Sequence, residues 1–351
     1  MKDNRLSNFP FYEPRIPPKY YEYHEKVDFL DELEKIWGKQ WGAQGIGKLR
    51  EVGMIRPLEL ETDPIFLEDP EFFQIHEYEL PKWDLMIEQW DTLVKTLKEN
   101  GVDIHFFEYD ETPRSAYGIM RRAISAAAAS VVVKGGAIVP REATQYWRGR
   151  SKYVTKWLVE VGCPILYTVH GKGVCEVGAF TALAEDTIVC SLSTDCNREG
   201  LDQVTPIFHR AGITNIVVAH SPGPNSIFYP EAVGWMHSDM WIGAADVGLV
   251  VLYPPFCDYE TVRWLTSNNY RIIEVPRGEQ LKLYPCNFLT LEPGKVIMIE
   301  GAGHTSRMLR KEGVDVIEIP YAEVLKYGGG IRCTVARLIR DRGPSSVEIK
   351  G

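Results

Sequence analysis

The chain has 351 residues, of which 45% are hydrophobic and 25% are charged, and its formal net charge is −9. These values are typical of a globular protein with one large domain or two to three ordinary ones. The acidic balance argues against a nucleic acid or an anionic membrane as partner, so we expect a small-molecule substrate.

No segment has the pattern of a membrane span or of a signal peptide. No run of 18 apolar residues occurs, and the first thirty residues lack an apolar core. The cysteines are dispersed, without a Cys-x-x-Cys pair: Cys163, Cys175, Cys190, Cys196, Cys257, Cys286 and Cys333. This spacing predicts neither a zinc site nor a disulfide framework, so we expect a cytoplasmic protein without metal or cofactor.

The first 41 residues are rich in proline and aromatic residues. They are predicted to form an N-terminal extension, residues 1–41, with one helix near residues 26–42. The remainder, residues 42–351, is predicted to be a single catalytic domain. The extension could cover a subunit interface, which makes a homo-oligomer possible, or it could cap the domain.

After the extension, strand and helix patterns alternate. Residues 48–60 and 102–109 read as strands, and residues 82–100 read as a helix that ends at Asn100-Gly101, a C-cap signal. The apolar residues of this helix recur at helical spacing: Leu85, Ile87, Trp90, Leu93 and Leu97.

The same order returns four more times along the chain. Paired strands are predicted at 129–140, 180–192, 241–254 and 286–301, the first pair turning at Gly135-Gly136. Helices follow at 145–162, 197–212, 258–270 and 304–313, and single strands at 163–169, 213–220, 271–276 and 314–320. About five rounds at this spacing favour a radial or stacked α/β repeat. One doubly wound α/β sheet is the alternative.

Three segments carry candidate catalytic side chains. Cys333 follows Gly328-Gly329-Gly330, an approach that a buried structural cysteine does not need. His237 and Asp239 are two residues apart, so in an extended strand they would project from one face. Glu176 lies among glycines. Taken singly, each pattern also fits a structural residue or chance.

Together these side chains can perform one reaction. A Cys333 thiolate attacks an electrophilic sp² carbon, and His237 passes a proton to the leaving group and then activates water. Asp239 holds a cationic amidine or guanidinium by charge-assisted hydrogen bonds, while Glu176 holds the imidazole or a second substrate nitrogen.

Four segments, in order, resemble the guanidino-group modifying superfamily of arginine deiminases, dimethylarginine dimethylaminohydrolases and amidinotransferases. They are GKLREVGMIRP, HSDMWIGAADVGLVVLYP, CNFLTLEPGKVIM and GGGIRCTVARLIRD, and the resemblance spans about residues 48–341. It implies a five-bladed α/β propeller (pentein) with pseudo-fivefold ββαβ repeats.

The resemblance also implies roles for single residues. Cys333 would be the nucleophile that forms a covalent intermediate, His237 the acid and base, Glu176 a catalytic acidic residue, and Asp239 the carboxylate that grips the substrate. Gly329 and Gly330 would allow close approach of the backbone. Arg332 would lower the thiol pKa or meet a substrate carboxylate.

Two departures from the family pattern bear on the substrate. Ala179 stands where the Glu-Gly-Gly-Asp motif has its aspartate, and RRAISAAAAS (121–130) replaces an Arg-Asp pair. A guanidinium would lack a carboxylate partner there, so arginine is a doubtful substrate and a neutral or cyclic C–N compound fits better. Arg121 and Arg122 could serve an anionic group or lie at the surface.

Three functions follow from this pattern. A C–N hydrolase acting on a guanidino, amidino or related group is favoured, because water needs no second binding site. An amidinotransferase that hands the group to an amine uses the same first half-reaction. A non-catalytic, ligand-binding propeller is the third.

Overall fold

A computed structural model describes residues 27–57, 81–110, 113–115, 118–119, 125, 128–143, 147–221 and 237–349. The described helices are α1 (Phe29–Trp37), α2 (Trp83–Glu99), α3 (Arg150–Glu160), α4 (Arg198–Arg210), α5 (Tyr259–Ser267), α6 (Arg277–Leu283), α7 (Gly303–Lys311), α8 (Ala322–Gly328) and α9 (Ser346–Ile349).

The described strands alternate with these helices. They are β1 (Leu49–Ile55), β2 (Asp103–Phe107), β3 (Arg114–Ser115), β4 (Gly118–Ile119), β5 (Val131–Val133), β6 (Gly136–Val139), β7 (Ile165–Thr168), β8 (Phe180–Ala184), β9 (Thr187–Leu192), β10 (Asn215–His220), β11 (Ile242–Asp246), β12 (Leu249–Leu252), β13 (Arg271–Glu274), β14 (Leu289–Glu292), β15 (Lys295–Ile299), β16 (Asp315–Ile319) and β17 (Ala336–Arg340).

Within the described part of the chain, five small mixed sheets share one plan. Their strand orders are β17-β1-β2, β5-β6-β7, β8-β9-β10, β11-β12-β13 and β14-β15-β16. In each sheet the middle strand is antiparallel to the first strand and parallel to the third. A helix connects the middle strand to the third, as a parallel crossover requires. The predicted α/β class is therefore confirmed.

The first and last of these strands lie in the same sheet. β17 pairs antiparallel with β1, with Val52 opposite Arg337 and Gly53 opposite Ala336. The C-terminal segment thus completes the sheet that the N-terminal half begins.

The first strand of each sheet lines a common cavity of about 70 Å³. Residues of β5, β8, β11, β14 and β17 all contribute to its wall. The five sheets therefore converge on one place in the molecule, each through the same edge strand.

Helix α2 shows how the sequence pattern determines packing. Its buried residues are Met86, Trp90, Leu93, Thr96 and Leu97. Trp90, Leu93 and Leu97 are on the predicted apolar face, but the prediction for Leu85 is wrong because this side chain is 42% exposed. Met86 continues the spacing of the other three residues at i, i+4, i+7 and i+11, so it takes the buried position.

The predicted extension contributes one described helix to the core. Leu33 of α1 is buried in a cluster that also contains Trp41, Val132 and Trp157. Residues 1–26 lie outside the described residues, and the boundary at residue 41 stays a prediction. In the described part of the chain, we find no helix with the length and apolarity that a membrane span requires.

Candidate active site

Cys333 lies on a short 3₁₀ helix, Ile331–Thr334, between α8 and β17. The two preceding glycines allow this turn. Gly329 has a positive φ of 92°, which favours glycine. A Cβ atom on Gly330 would lie 2.3 Å from Asn287 Oδ1. Gly330 therefore packs closely against Asn287, while the substrate contact expected of Gly329 and Gly330 stays a prediction.

The Cys333 thiol is partly exposed and has two polar neighbours. Asn287 Nδ2 donates to Sγ at 3.2 Å, and Asp239 Oδ2 lies 4.0 Å from Sγ. Burial and the Asp239 charge raise the pKa of Cys333 to about 11, against the opposing effects of His237, Arg332 and Asn287. The resting thiol is therefore protonated at neutral pH.

Asn287 holds the thiol, the turn and Asp239 together. Its Oδ1 accepts from the Arg332 backbone N–H at 3.1 Å, and its Nδ2 also lies 3.2 Å from the Asp239 carbonyl oxygen. The side chain is 3% exposed. Sequence reasoning recognised the hairpin that Asn287 begins but gave the residue itself no role.

His237 and Asp239 do not lie on an extended strand, so the shared strand face is not observed. His237 precedes a 3₁₀ turn, Ser238–Met240. The Ser238 hydroxyl donates to the Ala179 carbonyl at 2.9 Å and lies 2.8 Å from Thr181 Oγ1, which fixes the turn against β8. The turn directs His237 toward one set of partners and Asp239 toward another.

Two buried carboxylates hold the His237 imidazole. Nε2 lies 3.2 Å from Glu176 Oε2 and 3.3 Å from Asp195 Oδ2. Burial lowers the pKa of His237, but the hydrogen bonds and charges of Asp195 and Glu176 outweigh it and raise the pKa well above its usual value. The ring is thus an imidazolium at neutral pH. Sequence reasoning identified Glu176 and missed Asp195.

Glu176 has a second buried carboxyl beside it. Its Oε1 accepts from the Ala143 backbone N–H at 2.8 Å. Glu142 is 3% exposed and hydrogen-bonds to Glu176. Burial and the Glu176 charge raise the pKa of Glu142 well above its usual value, which favours the protonated form of this carboxyl. Sequence reasoning missed Glu142 as well.

The donor atoms around His237 are also close enough to ligate a cation. Glu176, Asp195 and His237 offer one donor atom each within 4.8 Å of one another, which is the one such group among the described residues. The ring nitrogen lies at hydrogen-bond distance from both carboxylates, so the group also fits a bound proton. We interpret it as the site of a proton.

Arg332 is turned toward Asp239. Its guanidinium forms an ion pair with Asp239 Oδ2 and donates to the Phe180 carbonyl at 2.6 Å. Asp239 Oδ1 is buried and has no hydrogen-bond partner among the described residues. Arg332 lowers the thiol pKa, as expected, but burial and Asp239 outweigh it.

The departures from the family pattern are only partly described. Ala179 is fully buried in an apolar cluster with Phe180 and Cys190, and it offers no charge there. Arg121, Arg122, Ala126 and Ala127 lie outside the described residues.

Comparison with known proteins finds a matching family model and a relative that aligns with almost the whole chain. A family model described as arginine deiminase matches residues 259–340. The chain is 30% identical over 364 aligned positions to 2-nitroimidazole nitrohydrolase of Mycobacterium sp. (strain JS330), with 99% of this chain and 95% of the relative covered.

Solved structures of related fold are much less similar in sequence. Dimethylarginine dimethylaminohydrolase from Pseudomonas aeruginosa, complexed with citrulline, has a TM-score of 0.62 at 18% identity, covering 83% of this chain and 99% of that chain. The N-terminal domain of the cyanobacterial arginine dihydrolase ArgZ has a TM-score of 0.67 at 18% identity, covering 83% and 97%. That domain has also been solved covalently bound to a reaction intermediate.

The family model, the relative matched over almost the whole chain and the shared fold all lead to one conclusion. The chain belongs to the guanidino-group modifying (pentein) superfamily, and it is a hydrolytic enzyme of the pentein type that acts on C–N bonds.

Proposed function

We propose that this chain hydrolyses the exocyclic C–N bond of a small, neutral N-heterocycle of the 2-nitroimidazole type, through a covalent intermediate on Cys333. The observation that carries this proposal is the ion pair between Arg332 and Asp239, beside the thiol. The matched relative is named for a nitroimidazole substrate, which supports the same class.

The ion pair bears on substrate charge. A guanidinium substrate needs a free carboxylate, but Arg332 already neutralises Asp239, and Ala179 offers no second charge. Bringing another cation beside Arg332 is unfavourable in a buried site. Asp239 Oδ1 remains a buried acceptor without a partner among the described residues. A neutral ring with one N–H group matches that acceptor.

The proposed reaction has two steps and no net redox change. The Cys333 thiol loses its proton to solvent, its sulfur forms a bond to the ring carbon between two nitrogens, and the C–N bond to the substituent breaks with its electron pair, which releases nitrite from a nitro compound. Water then attacks the same carbon, the C–S bond breaks, and the departing thiolate takes up a proton from solvent to restore the thiol.

His237 is proposed to move the protons in both steps. As an imidazolium it donates to the departing group, and as a neutral ring it then accepts a proton from the attacking water. Glu176 and Asp195 stabilise the charged ring and orient it through Nε2. Asn287 stabilises the developing thiolate by its hydrogen bond to Sγ.

We also propose that the five sheets are the blades of a propeller within a catalytic domain of residues 42–351. The shared strand plan and the cavity lined by one edge strand from each sheet support this arrangement. In such a fold the segments with Cys333, His237 and Glu176 meet near the axis although they are far apart in sequence.

The proposal is tested by measuring nitrite release from 2-nitroimidazole, with arginine as the charged comparison substrate. We expect nitrite from the wild-type enzyme, none from Cys333→Ser, and no citrulline or ammonia from arginine. The matched control is Cys257→Ser, which removes a partly exposed thiol that the proposed reaction does not use. Turnover of arginine without nitrite release would contradict the proposed substrate class.

A further inference from the structure

Three arginines line the cavity on which the five sheets converge. Arg332 precedes the nucleophile, while Arg337 and Arg340 lie on β17. Guanidinium groups remain charged in proteins and are rarely buried without a partner. Their convergence on one small cavity therefore calls for an explanation.

Two of the three guanidinium groups are engaged with protein atoms. Arg332 pairs with Asp239 and donates to the Phe180 carbonyl. Arg340 donates to the carbonyls of Gly47 and Thr290, each at 2.6 Å, although its Nε is buried without a partner among the described residues.

Arg337 is different from its two neighbours. Among the described residues its guanidinium makes no hydrogen bond and no ion pair, although it lines the cavity. Burial lowers the pKa of Arg337 well below its usual value, and the charges of Arg332 and Arg340 add to this effect. The three cations are therefore close enough to repel one another.

The carboxylates near this cluster do not balance it. Asp239 is paired with Arg332, and Glu185 accepts from the Gly343 backbone N–H at 2.9 Å. Three guanidinium groups against these two carboxylates leave one positive charge at the cavity. The cavity volume of about 70 Å³ is several times what a water molecule needs, so one small ion fits and a larger substrate does not.

We propose that this cavity is a binding site for one small monovalent inorganic anion, of the size of chloride or nitrite, held chiefly by Arg337. The anion would balance the charge at the cavity and accept hydrogen bonds from the free N–H groups of the guanidinium. It comes either from the solution, as chloride, or from the reaction, as nitrite. The inference concerns a site other than the nucleophile and does not depend on the identity of the substrate.

The test follows thermal unfolding of the full-length enzyme during titration with sodium chloride or sodium nitrite at constant ionic strength, balanced with sodium gluconate. An anion that binds only the folded state raises the Tm in a saturable manner. In Arg337→Met we expect the anion concentration at half-saturation to be at least about tenfold higher, because a charged hydrogen-bond partner is lost. We also expect a higher Tm than wild type in gluconate alone, because repulsion is relieved.

Two control variants locate the site. Arg263→Met removes an exposed arginine and should leave the anion effect unchanged. Cys333→Ser should also leave it unchanged, whether or not the enzyme turns over the proposed substrate. An anion effect that survives in Arg337→Met, or that is lost in Cys333→Ser instead, would overturn the proposal.

A direct measurement covers the case in which Arg337→Met fails to fold. Wild-type crystals soaked in sodium bromide are expected to show an anomalous peak beside Arg337 in the cavity. If nitrite raises the Tm with a lower half-saturating concentration than chloride, the site is assigned to the product anion. If chloride has the lower concentration, the site is assigned to the solution anion. No peak and no saturable rise in Tm would refute the site.

Discussion

The raised pKa of Cys333 predicts how the reactivity of its thiol depends on pH. Its pKa of about 11 means that roughly one thiol in ten thousand is ionised at pH 7. Because alkylating reagents attack the thiolate, the rate of iodoacetamide labelling at Cys333 should rise about tenfold for each pH unit between 7 and 10. Mass mapping of the Cys333 peptide separates this site from Cys257.

The same pKa gives a prediction for Asp239. Because its charge raises the thiol pKa, Asp239→Asn should lower that pKa and speed labelling of Cys333 at pH 8. Asp315→Asn, which changes an exposed carboxylate, serves as the control and should have no effect. Rapid labelling of the wild-type protein that does not vary around pH 7 would show that the thiol is already ionised.

Glu142 acts on His237 indirectly, through Glu176. It hydrogen-bonds to Glu176 as a neutral acid, and Glu176 contacts His237. Glu142→Gln retains a neutral donor and should keep most of the kcat. Glu142→Ala removes it and should reduce kcat about tenfold to a hundredfold, as expected for the loss of a buried hydrogen bond to a charged group.

The pH profile distinguishes this role from simple loss of packing. Without Glu142, the Glu176 carboxylate would stabilise the protonated His237 ring to a different degree. Glu142→Ala should therefore shift the pKa values in the pH profile of kcat as well as lower the maximum kcat. Equal losses of kcat in both variants, with an unchanged profile, would argue against a shared proton between Glu142 and Glu176.

At the scale of elements, the turn before Cys333 depends on Gly330. Its close approach to Asn287 leaves no room for a methyl group, so Gly330→Ala should displace the amide that contacts the thiol. We expect reduced kcat and a lower Tm. Gly278→Ala is the matched control, because nothing lies within 4 Å of its added methyl and it is inside helix α6.

The two glycine variants should change the Tm in opposite directions. Alanine is favoured over glycine within a helix by about 1 kcal/mol, so Gly278→Ala should raise the Tm without changing kcat. A Gly330→Ala enzyme with wild-type kcat would mean that the Asn287 contact is unnecessary for the reaction. Thermal unfolding and steady-state kinetics measure both effects.

Local pattern predicted most elements of the five sheets, but it did not predict β17, α6 or α8, or the direction of every side chain. The recurring strand and helix spacings appear as the five sheets and their crossover helices. The turn at Ser238–Met240 could not be predicted, since its conformation depends on contacts of Ser238 with a segment some sixty residues earlier. Sequence reasoning therefore placed His237 and Asp239 on one strand face that does not exist.

At the scale of the whole molecule, the site combines segments that are distant in the chain. The glycines before Cys333 and the His-x-Asp spacing could be recognised from the sequence. Asp195 could not, because it lies in a turn with no local sign that its carboxylate meets a ring 42 residues later. The residue type of Glu142 predicts a surface position, since acidic residues are rarely buried unless they have a partner.

The closing of the chain on itself brings these segments together. β17 carries Arg337 and Arg340 and follows directly on the nucleophile turn, while it pairs with β1 from the first half of the chain. Cys333 is therefore fixed between helix α8 and the sheet that joins both halves. The position of the thiol is thus a property of the complete fold.

The central claim is that Cys333 carries the substrate as a covalent intermediate. The most direct measurement is the intact-protein mass after incubation with 2-nitroimidazole and an acid quench at successive times, made on the wild-type enzyme and on His237→Ala. We predict a mass gain equal to one imidazolyl group in place of a proton, mapped to the Cys333 peptide and absent from His237→Ala/Cys333→Ser. Nitrite release with no adduct at any quench time, or with Cys333→Ser still active, would contradict the account.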